Sequence, residues 1–90
     1  MRQQICILGS TGSIGTQALD VISQHPDLYE AYALTANRRW KELAIQARRF
    51  HPAAVVIADE TFYEPLVKEL ADMPDVKVYC GSKALEEIVE

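Results

Sequence analysis

Ninety residues, 49% of them hydrophobic and 24% charged, are enough for one small globular domain and too few for two. Lys and Arg number 9 against 13 Asp and Glu, giving a net charge of −4 with no basic stripe, which argues against nucleic acid as a partner. The chain has neither a membrane-length apolar run nor a signal-peptide pattern, so it reads as cytoplasmic and without a membrane partner.

The elements alternate along the chain. The run QICIL (4–8) is short, apolar and rich in branched residues, so it reads as a buried strand ended by Gly9. From Ser13 to about Gln24, Ile14, Ala18, Val21 and Ile22 recur at helical spacing until Pro26 stops the helix. EAYALTA (30–36) is a second strand, and Leu43, Ala44, Ala47 and Phe50 mark a second helix from Trp40 to Phe50, closed by Pro52. AAVVIA (53–58) is a third strand, apolar throughout, as when both faces of a sheet are covered. A third helix begins after Asp59-Glu60 and carries Phe62, Leu66, Val67 and Leu70; VKVYC (76–80) is a fourth strand, and 82–90 start a fourth helix.

This βαβαβαβα order predicts an α/β fold of the Rossmann-like type, a parallel sheet with right-handed crossovers and flanking helices. Strand one is central in such sheets, and the chain supplies neighbours on one side of it only. The predicted spatial order is therefore 4-3-2-1, with Ile5 to Leu8 as an open edge. The last helix has no capping glycine or proline before Glu90, so the domain is expected to be incomplete.

Between strand one and helix one stands GSTGSIG, with Gly9, Gly12 and Gly15 spaced three apart. A strand feeding a glycine turn and then a helix N-terminus suits a pyrophosphate, which meets unpaired N–H groups and partial positive charge there. Gly9 allows the tight turn, Gly12 the close approach of backbone to phosphate, and Gly15 the packing of the helix onto strand one. Thr11 and Ser13 add hydroxyl donors, and Ser13 could cap the helix. The spacing is G-x-x-G-x-x-G, which departs from the usual NAD fingerprint and specifies a dinucleotide without a reaction.

An NAD site places a carboxylate near the end of strand two, about 20 residues past the loop, for the ribose hydroxyl. Here the stretch is LTANRRW, with Arg38 and Arg39 and no acid. A guanidinium pair matches a 2′-phosphate, so the cofactor is read as NADPH in preference to NADH. The bland alternative is a solvated basic pair at a helix start, which the helix dipole disfavours.

Neither cysteine has metal-ligand spacing, and Cys6 and Cys80 read as small hydrophobes in a reducing compartment. Asp59, ending strand three, would suit the phospho-acceptor of a receiver-type domain. That fold needs acids at the end of strand one, where Gly9-Ser10 stand, so Asp59 reads as a helix cap. His25 and His51 each precede a helix-ending proline and read as C-terminal helix residues. No catalytic or metal-binding cluster is legible.

The segments ILGSTGSIGTQALDVI and YALTANRRW together resemble the N-terminus of the 1-deoxy-D-xylulose 5-phosphate reductoisomerase family. The similarity continues through ARRFHPAAVVIADE and KVYCGSKALEEIV, and so spans the chain. It implies that residues 1–90 are part of an N-terminal NADPH-binding domain, with catalytic and C-terminal domains in later sequence. The full protein would then convert 1-deoxy-D-xylulose 5-phosphate to 2-C-methyl-D-erythritol 4-phosphate, an isoprenoid precursor, as a homodimer. A divalent metal (Mg or Mn) and the sugar-phosphate substrate would bind in the later domain, and this portion alone would be inactive. Carried over by position, Thr11, Gly12, Ser13 and Ile14 would contact the cofactor, as would Asn37, Arg38 and Arg39. That second stretch is Gly-basic-Asn in the family, so Asn37 and Arg39 depart from it. Asn37 could still take the left-handed backbone conformation usual for glycine. Two alternatives stay open: a semialdehyde-dehydrogenase-like oxidoreductase, which shares the glycine spacing, and a non-catalytic NADPH-sensing module.

Overall fold

A computed structural model describes residues 2–81, and the expected fourth helix at 82–90 lies outside them. In chain order come β1 (Gln3–Ile7), α1 (Ser13–Gln24), β2 (Tyr29–Ala36), α2 (Trp40–Phe50), β3 (Ala54–Ile57), a 3-10 turn (Glu60–Phe62), α3 (Tyr63–Glu69) and β4 (Lys77–Cys80). All strand pairs are parallel and the order is β1-β2-β3-β4, which is the expected one.

Each crossover adds its strand on the same side of the previous one. Right-handed crossovers then put successive helices on one face of the sheet. Leu19 and Ile22 of α1, Leu43 and Ala47 of α2, and Leu66 of α3 share one buried cluster with Leu34, Val55 and Ile57. The register explains that shared face: Leu34 stands opposite Val55, and Val55 opposite Val78, while Ala36, Ile57 and Cys80 form the next row. Leu34, Leu43, Val55, Ile57 and Leu66 are fully buried, each stabilising the fold by about 1.5–3 kcal/mol. Between β1 and β2 the register slips, because Tyr32 is an extra residue between Ala31 (opposite Ile5) and Ala33 (opposite Cys6).

Three expectations need correction. β1 is not buried: Gln3, Gln4 and Cys6 are exposed and only Ile7 is enclosed. It pairs with β2 alone among the described residues, so its other edge is open as expected, and Cys6 is no core residue. The buried face of α1 is Gly15, Leu19 and Ile22, while Ile14 is 83% exposed and Val21 50% exposed. The apolar spacing was right in period and rotated by one residue, because Gly15 is the residue that must face the preceding loop. Third, Ser13 does not cap α1; Gly12 holds that position with no side-chain cap.

Helix ends follow the sequence signals. His25 and His51 are the C-cap residues of α1 and α2, each directly before a proline. His51 is left-handed, with φ 49°, and its N–H bonds the carbonyl of Ala47. Asp59 caps the turn after β3 by accepting from the N–H of Thr61 at 3.0 Å.

Candidate functional site

Parallel strands bring the segments after β1, β2 and β3 to one end of the sheet. There the backbone laces them together: Ser10 N donates to Thr35 O at 2.8 Å, and Asp59 N donates to Asn37 O at 3.0 Å. The chain leaves β1 through Gly9, whose φ of +70° is the left-handed conformation that glycine takes at no steric cost. Gly9 N donates to Thr35 Oγ1 at 2.9 Å and Gly12 N to Gly9 O at 3.0 Å, closing a compact turn.

Gly15 explains why helix and loop can lie so close. A Cβ there would run into Gly9 O and come within 2.6 Å of Ser10 Cα. At Gly12 a Cβ would find only Gly9 O, at 3.4 Å, so that position is open toward solvent. The backbone N–H groups of Thr11, Ser13, Ile14 and Gly15 have no acceptor among the described residues, and the first turn of α1 carries no acidic side chain. They therefore offer a cluster of donors at the positive end of the helix dipole, the arrangement that holds an anion. Thr11 is half-buried, while Gly12, Ser13 and Ile14 are exposed.

Asn37, Arg38 and Arg39 follow β2 at the same end of the sheet, all exposed. Asn37 does not use the left-handed conformation open to it; His51 is the only non-glycine with positive φ among the described residues. Arg39 is the N-cap residue of α2 and makes no ion pair among them. Arg38 does: its Nε lies 3.6 Å from Asp59 Oδ2. A carboxylate from the segment after β3 thus stands beside the guanidinium that follows β2. Hydrogen bonds from Thr61, and secondarily the charge of Arg38, hold the Asp59 carboxyl below the usual carboxylate range.

Sequence reasoning missed the residues that fix the loop. Ser10 is fully buried; its Oγ donates to Gln46 Oε1 at 2.7 Å, and Gln46 Nε2 donates to Ser10 O at 2.8 Å. The signal was present in α2. Leu43, Gln46, Ala47 and Phe50 form one i, i+3, i+4, i+7 stripe, and Gln46 is its single polar member.

Two concavities among the described residues, of about 500 and 430 Å³, lie toward the opposite end, lined by residues such as Gln4, Glu30, Ala31 and His51, and neither touches the glycine loop. Among the described residues no three His, Cys, Asp or Glu side chains gather as a metal site would require. None of the described helices is long and apolar enough to cross a membrane.

The chain is similar along its length to proteins of one family. The family model described as 1-deoxy-D-xylulose 5-phosphate reductoisomerase matches residues 5–90. The protein of that name from Phocaeicola vulgatus is 64% identical over 90 residues, covering 100% of this chain and 23% of the relative. That from Porphyromonas gingivalis is 49% identical over 89 residues, 99% of this chain and 23% of the relative. The chain thus spans under a quarter of the length of these relatives. Among solved structures, the Zymomonas mobilis reductoisomerase in complex with NADPH superimposes with a TM-score of 0.91 at 41% identity, over 97% of this chain and 23% of that one. A reductoisomerase in complex with NADPH, fosmidomycin and magnesium gives a TM-score of 0.89 at 37% identity, over 96% of this chain and 21% of that one.

Proposed function

The chain belongs to the 1-deoxy-D-xylulose 5-phosphate reductoisomerase family, and from that premise we propose that residues 1–90 are the first part of its NADPH-binding domain. The observation that supports this most is the placement, at one end of the parallel sheet, of both the open amides of Thr11, Ser13 and Ile14 and the exposed segment that carries Arg38 and Arg39. The amides and the Ser13 hydroxyl bind the pyrophosphate, with Gly12 leaving room for it. Arg38 and Arg39 bind the 2′-phosphate, and Asn37 lines the adenosine side. The free N-terminal amides and the surface left open at Gly12 suit a bound dinucleotide phosphate.

Bound NADPH supplies the hydride for the family's reduction. The chain's own residues hold and orient the adenosine half of that cofactor. In this reading the full protein is a cytoplasmic homodimer that converts 1-deoxy-D-xylulose 5-phosphate to 2-C-methyl-D-erythritol 4-phosphate. The divalent metal and the sugar phosphate bind within the part of the family's length that this chain does not span. Titration with NADPH and with NADH tests the assignment. NADPH is expected to bind at least about tenfold more tightly, the worth of a charge-assisted contact to the extra phosphate. Equal affinities overturn the 2′-phosphate assignment, and absence of binding to either overturns the whole reading.

A further inference from the structure

We propose that Gln46 is a positioning residue for the cofactor: its carboxamide locks the glycine loop to the helix that begins at the 2′-phosphate side chains. The proposal rests on the NADPH reading above and adds how the two halves of that site are kept in register.

Ser10 is enclosed on all sides, so its polar atoms must find partners within the protein. The backbone N–H takes Thr35 O at 2.8 Å, which ties the loop to β2. The carbonyl and hydroxyl both take Gln46, at 2.8 and 2.7 Å. Thr35 O lies farther from the hydroxyl, at 3.3 Å. The carboxamide orientation is determined by the carbonyl: turning it over would set Oε1 against Ser10 O, two acceptors with no proton between them. One side chain therefore both donates to and accepts from the same loop residue, a two-point clasp that fixes rotation as well as distance.

The clasp matters because of where α2 begins. Arg39 is the N-cap of α2 and Gln46 sits seven residues on, about 10 Å along the axis. The next loop residue after Ser10 is Thr11, the first of the open amides. A shift of α2 relative to the sheet would move Arg39 and the pyrophosphate amides independently if nothing joined them. With the clasp, they move together. Thr35 secures the loop to the sheet; among the described residues, Gln46 supplies the hydrogen bonds that secure it to α2.

Four ligand-binding and exchange measurements separate positioning from folding. Gln46→Met keeps the length and the packing of the stem while removing both hydrogen bonds. In the full chain it is expected to weaken NADPH binding about tenfold, the effect of losing the two bonds that orient the loop. Adenosine 2′-monophosphate, which has no pyrophosphate, should bind the variant within about twofold of the original chain. Amide hydrogen exchange at Gly9, Ser10 and Gly12, whose N–H groups are bonded, should quicken while that of Leu43 and Ala47 does not. Adding Ser10→Ala to Gln46→Met should cost little more, because both changes break one clasp. The proposal is overturned if NADPH affinity is unchanged in Gln46→Met, or if both ligands weaken equally alongside faster exchange throughout α2. If the unaltered chain binds no NADPH, the functional reading fails first; exchange at Gly9, Ser10 and Gly12 that Gln46→Met leaves unchanged refutes the clasp independently.

Discussion

Asp59 Oδ2 lies 3.6 Å from Arg38 Nε, so the carboxylate that caps the turn after β3 also faces the guanidinium that follows β2. Among the described residues the two terminal nitrogens of Arg38 make no hydrogen bond, which leaves them open to a phosphate. It also keeps a negative charge near the place where that phosphate would bind. Positioning and repulsion pull in opposite directions, and exposure decides between them. The Arg38 side chain is 71% exposed, so the pair does little to hold the guanidinium still. Repulsion should win. Asp59→Asn keeps an oxygen for Thr61 N and is expected to tighten NADPH binding by about two- to threefold with NADH unchanged, as suits a screened charge. A fall in the NADPH-to-NADH ratio on titration would show instead that Asp59 holds Arg38 in place.

Two glycines of the loop should respond differently to the same methyl group. At Gly15 the added Cβ meets backbone, Gly9 O and Ser10 Cα, which cannot step aside without displacing the loop. Gly15→Ala should therefore destabilise the fold by about 1–3 kcal/mol, the usual cost of overpacking, and weaken NADPH binding with it. At Gly12 the nearest atom is 3.4 Å away, an ordinary contact. Gly12→Ala should leave the melting temperature nearly unchanged while obstructing the pyrophosphate. Thermal unfolding and NADPH titration of both variants check the contrast; equal losses of stability would refute it.

Acid should loosen the fold through two carboxylates. Arg48 holds Asp72 below the usual carboxylate range, chiefly by hydrogen bonds of 2.9 and 2.8 Å from its guanidinium. Thr61 does the same for Asp59. In each case the folded value lies under the unfolded one. The stabilisation is therefore complete above the ordinary carboxylate range and is lost as pH falls through the depressed folded values. Melting temperature should stay flat from neutral pH down to about pH 5 and fall below it. Asp72→Asn should lower the melting temperature near neutrality and converge with the unaltered chain in acid. Parallel curves for the two proteins would rule out the Arg48 pair as a source of that pH dependence.

The order of the elements and of the strands was legible because a glycine or proline stands at most boundaries (Gly9, Pro26, Pro52, Pro74) and each strand is a short apolar run. The faces were less so. Ile14 and Val21 have the hydrophobicity of core residues, and only the collision of a Gly15 side chain with the loop decides which way α1 turns. Cys6 looked buried because its neighbours Ile5 and Ile7 are apolar, yet a one-sided strand exposes alternate residues. The glycine loop itself announced the site, while Ser10, Thr35 and Gln46 did not. Their bonds join residues 25 to 36 positions apart, and no local pattern encodes such a meeting.

Arg38 and Arg39 should contribute unequally to binding a 2′-phosphate, and the reason is again Asp59. Arg39 pairs with no carboxylate among the described residues, so Arg39→Ala removes one attraction to the phosphate without unpairing an acid there. Arg38→Ala removes an attraction and also leaves the Asp59 charge unopposed toward the phosphate. Each single variant is expected to weaken NADPH binding by about five- to thirtyfold, the range for a charged hydrogen bond, with Arg38→Ala the more severe. Adding Asp59→Asn to Arg38→Ala should recover part of the loss, whereas adding it to Arg39→Ala should give only the small gain seen in the unaltered chain. Melting temperatures should barely change, since both side chains are exposed. Affinities for NADPH across this double-mutant cycle measure the coupling directly. Purely additive effects would mean that Asp59 and the cofactor phosphate do not share Arg38.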